Sequence, residues 1–519
     1  MKNEELRKLH LSYIFFLHSS LLTLIFLLPL HAIMIMIAVV LIYFALLFAI
    51  SRWTGRRATN QTFYRGNKQS PWYLVAIGMV GASISGITFV SVPGMVNSIG
   101  MTYLQTCLGF IVGYLVIAFV LLPLYYRLNL TTIYSYLGQR IGQRAYKTGA
   151  SFFLLSKMTG AAVRFYVVCW ILMEVGLGGA DGIPVSSSHD GWVFAAVVVA
   201  MTTLIWLYTR QGGIKTLVWT DVLQTVCLFG ALLLIIYKVV GDLGLTMHEA
   251  VTVISSSELS RVFVFDDWVS KQYFWKQFLS GAFIAIVMTG LDQDMMQKNL
   301  TCRSLRDAQK DMCSYGVAFV PANTLFLALG ILLVVWFQQQ GLALPAKGDE
   351  LLPTFIMSAS PTANSSLLKA VFMLGMVSAA FSSADSALTA LTTSYCVDIC
   401  ERPDDERLRR RVHLGMAAVF VVFILLFRVL NSTSVIDAIY ILCSYTYGPL
   451  LGLFSFGLLT KCTTNDRLVP YICIASPVIC YLLDMVVGQL TGYRFGYELL
   501  MLNGFLTFLG LCLSKKVNS

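Results

Sequence analysis

The chain has 519 residues, of which 57% are hydrophobic and only 12% charged. A soluble domain carries about a quarter charged residues, so the composition excludes a soluble enzyme or binding domain and points to an all-α polytopic membrane protein. The formal net charge of +10 would suit a nucleic-acid partner, but the basic residues sit in short loops between apolar stretches, as topology determinants do.

Taken in order, residues 11–50 are almost continuously apolar. That is too long for one span of about 20 residues, and Pro29 and His31 mark the place of a hairpin between two. The segment 11–30 follows Lys2, Arg7 and Lys8. A cleavable signal needs a shorter apolar core and a small-residue cleavage site, and neither is clear. Residues 1–33 are therefore expected to be an extra N-terminal apolar helix, peripheral to function, or an extension upstream of a start near Met34 or Met36. Further spans are expected near 71–91, 104–126, 147–178, 191–208, 214–237, 274–292, 312–337, 367–395, 412–430, 434–460, 468–488 and 496–513, fourteen with the two N-terminal ones. The longest connections, 241–273 and 339–366, read as extramembrane with short amphipathic pieces. The twelve cysteines lack zinc-ligand spacing and read as small apolar fillers. With no HExxH, Walker loop or GxSxG pattern, the chain is not expected to be an enzyme.

Loop charges support this order of spans. Alternating sides places 24 of the 37 basic residues on one side, including Arg52, Arg56, Arg57, Arg210, Lys298 and Arg409–Arg411, against 8 on the other. That asymmetry satisfies the positive-inside rule and puts the tail, 514–519, in the cytoplasm. Lys157 and Arg164 remain inside one span, seven residues apart on one helix face, where charged groups face a cavity or a partner. Asp221 and Asp385 are the matching buried acids.

Inside the span that starts near Trp72, the run Gly81-Ala82-Ser83-Ile84-Ser85-Gly86-Ile87-Thr88-Phe89 is crowded with small and hydroxylated residues. Such a run loosens a helix, and in lipid a freed carbonyl is tolerated only where protein, water or an ion satisfies it. Secondary transporters build cation sites from unwound helices of this kind. The partner is Ala379-Ala380-Phe381-Ser382-Ser383-Ala384-Asp385-Ser386. Carbonyls of Gly81, Ile84 and Ala379 with hydroxyls of Ser382 and Ser383 would supply five oxygens to sodium. The bland alternative is close helix packing with serines bonded to their own helix.

These segments resemble the sodium:solute symporter family. The matching pieces are Gly81–Pro93; Gly212-Gly213-Ile214-Lys215-Thr216-Leu217-Val218-Trp219-Thr220-Asp221; Leu291-Asp292-Gln293 followed by Gln297-Lys298; Ala379–Asp398; and Tyr447-Gly448-Pro449. They run over roughly residues 35–513. The resemblance implies a leucine-transporter-type core of two inverted five-helix repeats, about 71–237 and 274–460, within a symporter domain 34–513 of thirteen helices; segment 11–30 would be a fourteenth. It places the sodium site on the same five residues. It also suggests a bacterial member of the sialic-acid-transporter-like branch, in a cell inner membrane.

Some sialic acid transporters of the family hold a second sodium with an acid at the Asp221 position and hydroxyls at positions 385 and 386. Here the first hydroxyl is the carboxylate of Asp385, beside Ser386. Ser382, Ser386, Thr389 and Thr393 form a stripe along one helix face. A second cation site, Lys157 acting as a built-in cation, a structural ion pair and a bound proton all stay open. In the same branch, a solute carboxylate meets a Ser and a Thr on the unwound helix and an Arg on the third core helix. Ser85, Thr88 and Arg164 take those places, with Gln105 adding hydrogen bonds. Arg is suited to a carboxylate by its planar fork; the bland reading has it pair with Asp221 or snorkel. The sugar-transporter branch instead has an acid and an amide where this chain has Ile87 and Thr88. Phe89, Tyr103, Phe274 and Trp275 are candidates to line or gate the cavity. Leu291–Lys310 and Glu401–Arg411 read as cytoplasmic helix-end devices.

The function expected is sodium-coupled uptake of a small carboxylate-bearing solute, such as a sialic acid, by alternating access. Partners are sodium, the solute and the bilayer, with the chain acting as a monomer and without nucleic acid. A neutral sugar or amino acid is the alternative solute, with Arg164 structural. A membrane sensor on a transporter fold is the alternative class.

Overall fold

The computed structural model describes residues 38–56, 58–177, 190–358, 363–430, 435–491, 493 and 495–514. The segment expected at 11–30, its hairpin and the start-site alternatives lie outside them. The described residues are helical, with an isolated bridge between Ser70 and Cys302. The membrane helices are α1 (Ala38–Thr54), α2 (Trp72–Ser83), α3 (Gly86–Ile99), α4 (Tyr103–Arg127), α5 (Gln143–Leu177), α6 (Asp190–Thr209), α7 (Ile214–Asp242), α8 (Phe274–Gly290), α9 (Gln293–Asn299), α10 (Leu305–Gln339), α11 (Ala363–Ser394), α12 (Glu406–Leu430), α13 (Val435–Leu459), α14 (Val469–Thr491) and α15 (Leu499–Leu513).

Among the described residues, nine helices are long and apolar enough to cross a membrane, and two bent pairs bring this to eleven. The shorter apolar helices α1 and α15 raise the number to thirteen. The bent pairs are α2–α3, turning by 61°, and α8–α9, turning by 70°. Each opens one of the two five-helix repeats. The first break was expected. The second was not: the sequence reading makes Leu291–Lys310 a charged cytoplasmic helix end, whereas residues 292–299 are a buried half-helix.

Packing is close where side chains are small, as membrane helix interfaces require. A Cβ at Gly109 of α4 would lie 2.0 Å from the Phe278 carbonyl oxygen of α8. The helix α7 packs on both α2 and α11, and α5 on α11 and α13. The two long connections carry the short helices Met247–Ser256, opened by a Thr246–Glu249 capping box, and Leu351–Ser358. Residues before α8 are tied to the other end of α3, where Met101 N–H donates to the Leu259 carbonyl at 2.9 Å. The twelve cysteines are free thiols, buried or half-buried.

Forcing α4 and α8 apart should be costly. Gly109→Val is expected to lower stability by about 1–3 kcal/mol or more, read as a drop in the thermal midpoint in detergent. Gly230→Ala, where no atom lies within 4 Å, is expected to leave that midpoint unchanged.

Candidate sodium and solute site

The first break is local. Ile84 (φ −83°, ψ 86°) and Ser85 (φ −73°, ψ 169°) leave the helical region between two helical halves. Across it lies α11. The Ser383 hydroxyl reaches the Ala82 carbonyl at 3.2 Å and the Ala379 carbonyl of its own helix at 3.3 Å. Ser382 donates to Asp221 Oδ1 at 3.0 Å. A hydroxyl whose proton is given away keeps its lone pairs for a cation. Among the described residues no side chain donates to the Gly81 or Ile84 carbonyl. Gly81 itself lies against α7: a Cβ there would meet Thr225 Oγ1 at 2.0 Å. The structure thus brings the break of α2–α3 against Ala379 and Ser383, with Ser382 on the adjoining side toward α7.

The second break is built differently. Asp292 (φ −104°, ψ 119°) caps α9 by accepting the Asp294 N–H at 2.8 Å. The carbonyls of Gly290 and Leu291 accept from Tyr125 and Tyr134 hydroxyls, each at 2.9 Å. Its freed carbonyls are covered by fixed side chains. Lys157 of α5 meets this break, with Nζ 2.6 Å from Asp294 Oδ2 and 3.2 Å from Asp292 Oδ2. Tyr447 of α13 donates to the same Asp292 oxygen at 2.6 Å. Lys157 is therefore not the built-in cation at Asp221 and Asp385; its partners are the acids of α9.

The cation at Asp221 is Lys298. It is 1% exposed, and its Nζ stands 2.8 Å from Asp221 Oδ2. Asp385 accepts from Tyr208 at 2.5 Å, Gln224 at 3.4 Å and Ser386 at 3.4 Å. Thr393 and Gln297 extend the same seam with a hydrogen bond of 3.0 Å, so Ser382, Ser386 and Thr393 of the expected hydroxyl stripe meet polar partners, while the Thr389 hydroxyl has none. Sequence reasoning placed Lys298 in a water-exposed loop. The misleading signal was the charged string Asp292–Lys310; the useful one was the small residue pair Thr289-Gly290 before it.

Between the two breaks lies a cavity of about 120 Å³. Its wall includes Ser85, Thr88, Lys157, Arg164, Asp294 and Ser383. Three of the four expected solute residues are thus brought together beside the sodium candidates. Arg164 has no carboxylate partner among the described residues, so the expected alternative of a pair with Asp221 is corrected: Asp221 belongs to Lys298. Asp294 is 4% exposed and its Oδ1 has no hydrogen-bond partner. Gln105 is the exception. It does not line the cavity; it accepts the Val264 N–H at 3.1 Å and donates to the Gln272 carbonyl at 2.9 Å, so its amide is spent holding a loop. Of the aromatic candidates, Tyr103 lines the cavity. Phe89 packs on Phe326 and Phe372, while Phe274 and Trp275 pack on each other away from it.

The sodium:solute symporter family pattern matches residues 63–468. The chain belongs to that family. Such a symporter couples sodium to solute uptake across a membrane. The chain is 25% identical over 435 residues to the sodium/sialic acid symporter SiaT of Proteus mirabilis (strain HI4320), covering 78% of this chain and 80% of that protein. It is 22% identical over 421 residues to the sodium/iodide cotransporter of Homo sapiens, covering 79% of this chain and 63% of the relative. A solved Na+-coupled sialic acid symporter in a substrate-bound outward-open state superposes with a TM-score of 0.75 at 20% identity, covering 93% of this chain and 99% of that one. That likeness shows the leucine-transporter-type fold.

The symporter's lysine on α9 generates a sharp prediction. Lys298→Met leaves the Asp221 carboxylate buried without its ammonium, a loss of about 3–5 kcal/mol. Adding Asp221→Asn removes the orphaned charge and should restore most of it. Thermal unfolding of the purified variants checks this; an equal loss in single and double variants would break the pairing argument.

Proposed function

We propose that this symporter takes up a small carboxylate-bearing organic solute, such as a sialic acid, together with sodium. The observation that carries the reading is Arg164: a guanidinium on the wall of the cavity between the breaks, free of any acid partner among the described residues and sharing that wall with Ser85 and Thr88. A planar fork of N–H donors suits a carboxylate held in two-point contact. The solutes named for the two curated relatives, sialic acid and iodide, are both anionic at neutral pH, which supports an anion here. The cavity of about 120 Å³ is smaller than the roughly 300–1,000 Å³ of sites that enclose a drug-sized ligand. Admission of the solute then needs the two broken helices to part, as alternating access supplies.

Sodium sits, in this proposal, among the carbonyls of Gly81, Ile84 and Ala379 and the hydroxyls of Ser382 and Ser383. Support comes from the contrast between the breaks: tyrosines cover the carbonyls at α8–α9, while at α2–α3, among the described residues, only the Ser383 hydroxyl spans to α11. Sodium displaces one weak contact there and takes up lone pairs already turned toward it. At Asp221, Asp385 and Ser386, Lys298 stands as the resident cation in place of a second sodium. Asp294 Oδ1 is left to accept a hydroxyl or amide N–H from the far end of the solute. The symporter domain runs from 34 to 513, its repeats from about 71 to 460, in an inner membrane with the C-terminus in the cytoplasm. It works as a monomer.

Thermal stability of the purified protein against carboxylated solutes, each in sodium and potassium salts, tests this by mass action. Stabilisation is expected only with sodium present. Ser383→Ala should raise the sodium needed for half the shift about tenfold, and Arg164→Ala should weaken the solute similarly, as loss of a contact of about 1.5–3 kcal/mol implies. An unchanged solute response in Arg164→Ala would point instead to a neutral solute. A response identical in potassium would remove the sodium assignment.

A further inference from the structure

A second cleft, of about 410 Å³, lies away from the transport cavity. It opens where α1 and α6 end and α12 begins, and its wall holds Trp206, Arg210, Gln211, Arg409 and Arg410. No acid lines it. Arg409 forms its floor. That residue is 2% exposed; its guanidinium carbon lies 4.7 Å from the Phe63 ring centroid, and its Nε and Nη1 have no hydrogen-bond partner. Buried guanidinium donors without acceptors are costly; Nε and Nη1 are sealed by protein, so the edge of this group left to face the cleft is Nη2.

The walls hold their shape. His413, one turn beyond Arg409, bonds to Thr209 of α6 and Thr392 of α11, both at 2.9 Å. Arg210 lies flat over Trp206, its carbon 5.4 Å from the ring centroid. Arg410 reaches Glu406 at 3.1 Å on the exposed surface, and among the described residues the cleft lining itself carries three guanidiniums and no carboxylate. The same end of the bundle carries the exposed Trp53, edge-on to Trp219 at 5.2 Å. Tryptophans at helix ends mark the membrane–water interface.

We propose that this cleft binds a phosphate-bearing anion, and that its source is the headgroup of an anionic phospholipid in the cytoplasmic leaflet. Arginine forks match phosphate oxygens in two-point contact. The excess of basic loop residues on this side places the cleft at the leaflet whose surface is anionic. A headgroup oxygen would accept from Arg409 Nη2, while Arg210 and Arg410 close on it from the rim. Nothing in this reading depends on which solute the transporter carries.

The test uses the full chain purified in detergent and stripped of lipid. Its thermal midpoint is followed against added phosphatidylglycerol, phosphatidylcholine and inorganic phosphate. Phosphatidylglycerol is expected to raise the midpoint at concentrations where phosphatidylcholine does not. Arg409→Gln should abolish that response. Should Arg409→Gln fail to fold, Arg210→Gln and Arg410→Gln, both on the exposed rim, should each weaken the lipid response about fivefold. Equal responses to the two lipids, or a phosphatidylglycerol response undiminished in the rim variants, overturn the site. An inorganic phosphate response as large as that to phosphatidylglycerol overturns the lipid source and assigns the cleft to a soluble phosphate compound.

Discussion

Lys298 stands 2.8 Å from Asp221 with both groups out of water, and much of the arrangement around the cavity follows from that contact. It fastens the half-helix α9, of the second repeat, to α7, of the first. Because α7 also packs against α2 and α11, the same contact sets how the first broken helix meets its partner. Lys157 makes the reciprocal link from α5 to the acids at the head of α9. Buried ion pairs add little net stability over apolar groups of the same volume, but losing one partner is severe. Their value here is registry: each pins one helix to another at a defined point in a bundle otherwise held by close packing and scattered hydrogen bonds.

The two breaks divide the labour. At α8–α9 an aspartate cap, two tyrosine hydroxyls and a lysine occupy the polar groups that unwinding exposes. At α2–α3 the exposed carbonyls face α11 through one serine contact of 3.2 Å. Backbone polar groups in a membrane demand partners, so the incompletely covered break is the one with room for an exchangeable ion. One half of the pseudo-symmetric pair is a structural joint, and the other is the proposed binding site.

The first break was legible because its signal is local: Gly81, Ser83, Ser85 and Gly86 lie together in an otherwise apolar span. The helix order was legible from apolar length and from loop charge. The second break was hidden by its own chemistry. Asp292, Asp294 and Lys298 look like residues in water, and only the fold shows each charge meeting an opposite one contributed by a distant helix. Sequence could flag Lys157 as a buried cation needing an acid, but it pointed to Asp221 and Asp385, because Asp292 read as part of a cytoplasmic helix end. Gln105 misled for a related reason: its partners, Val264 and Gln272, are about 160 positions away, and nothing near it in the chain announces them. Ser85, Thr88 and Arg164, which the family resemblance grouped, do line one cavity.

A lysine that stands where a second ion would sit has an energetic consequence for accumulation. A tethered ammonium stays with the protein when the cargo leaves. In the proposed cycle one sodium travels with one monovalent anion and no net charge moves, so the transmembrane potential, worth about 2.3 kcal/mol per elementary charge per 100 mV, neither drives nor opposes it. The ceiling on the solute's inside-to-outside ratio is then the sodium ratio itself, outside to inside. Such a transporter gives up steep concentrating power and becomes indifferent to depolarisation, taking up solute at the same thermodynamic limit whether the membrane is energised or not.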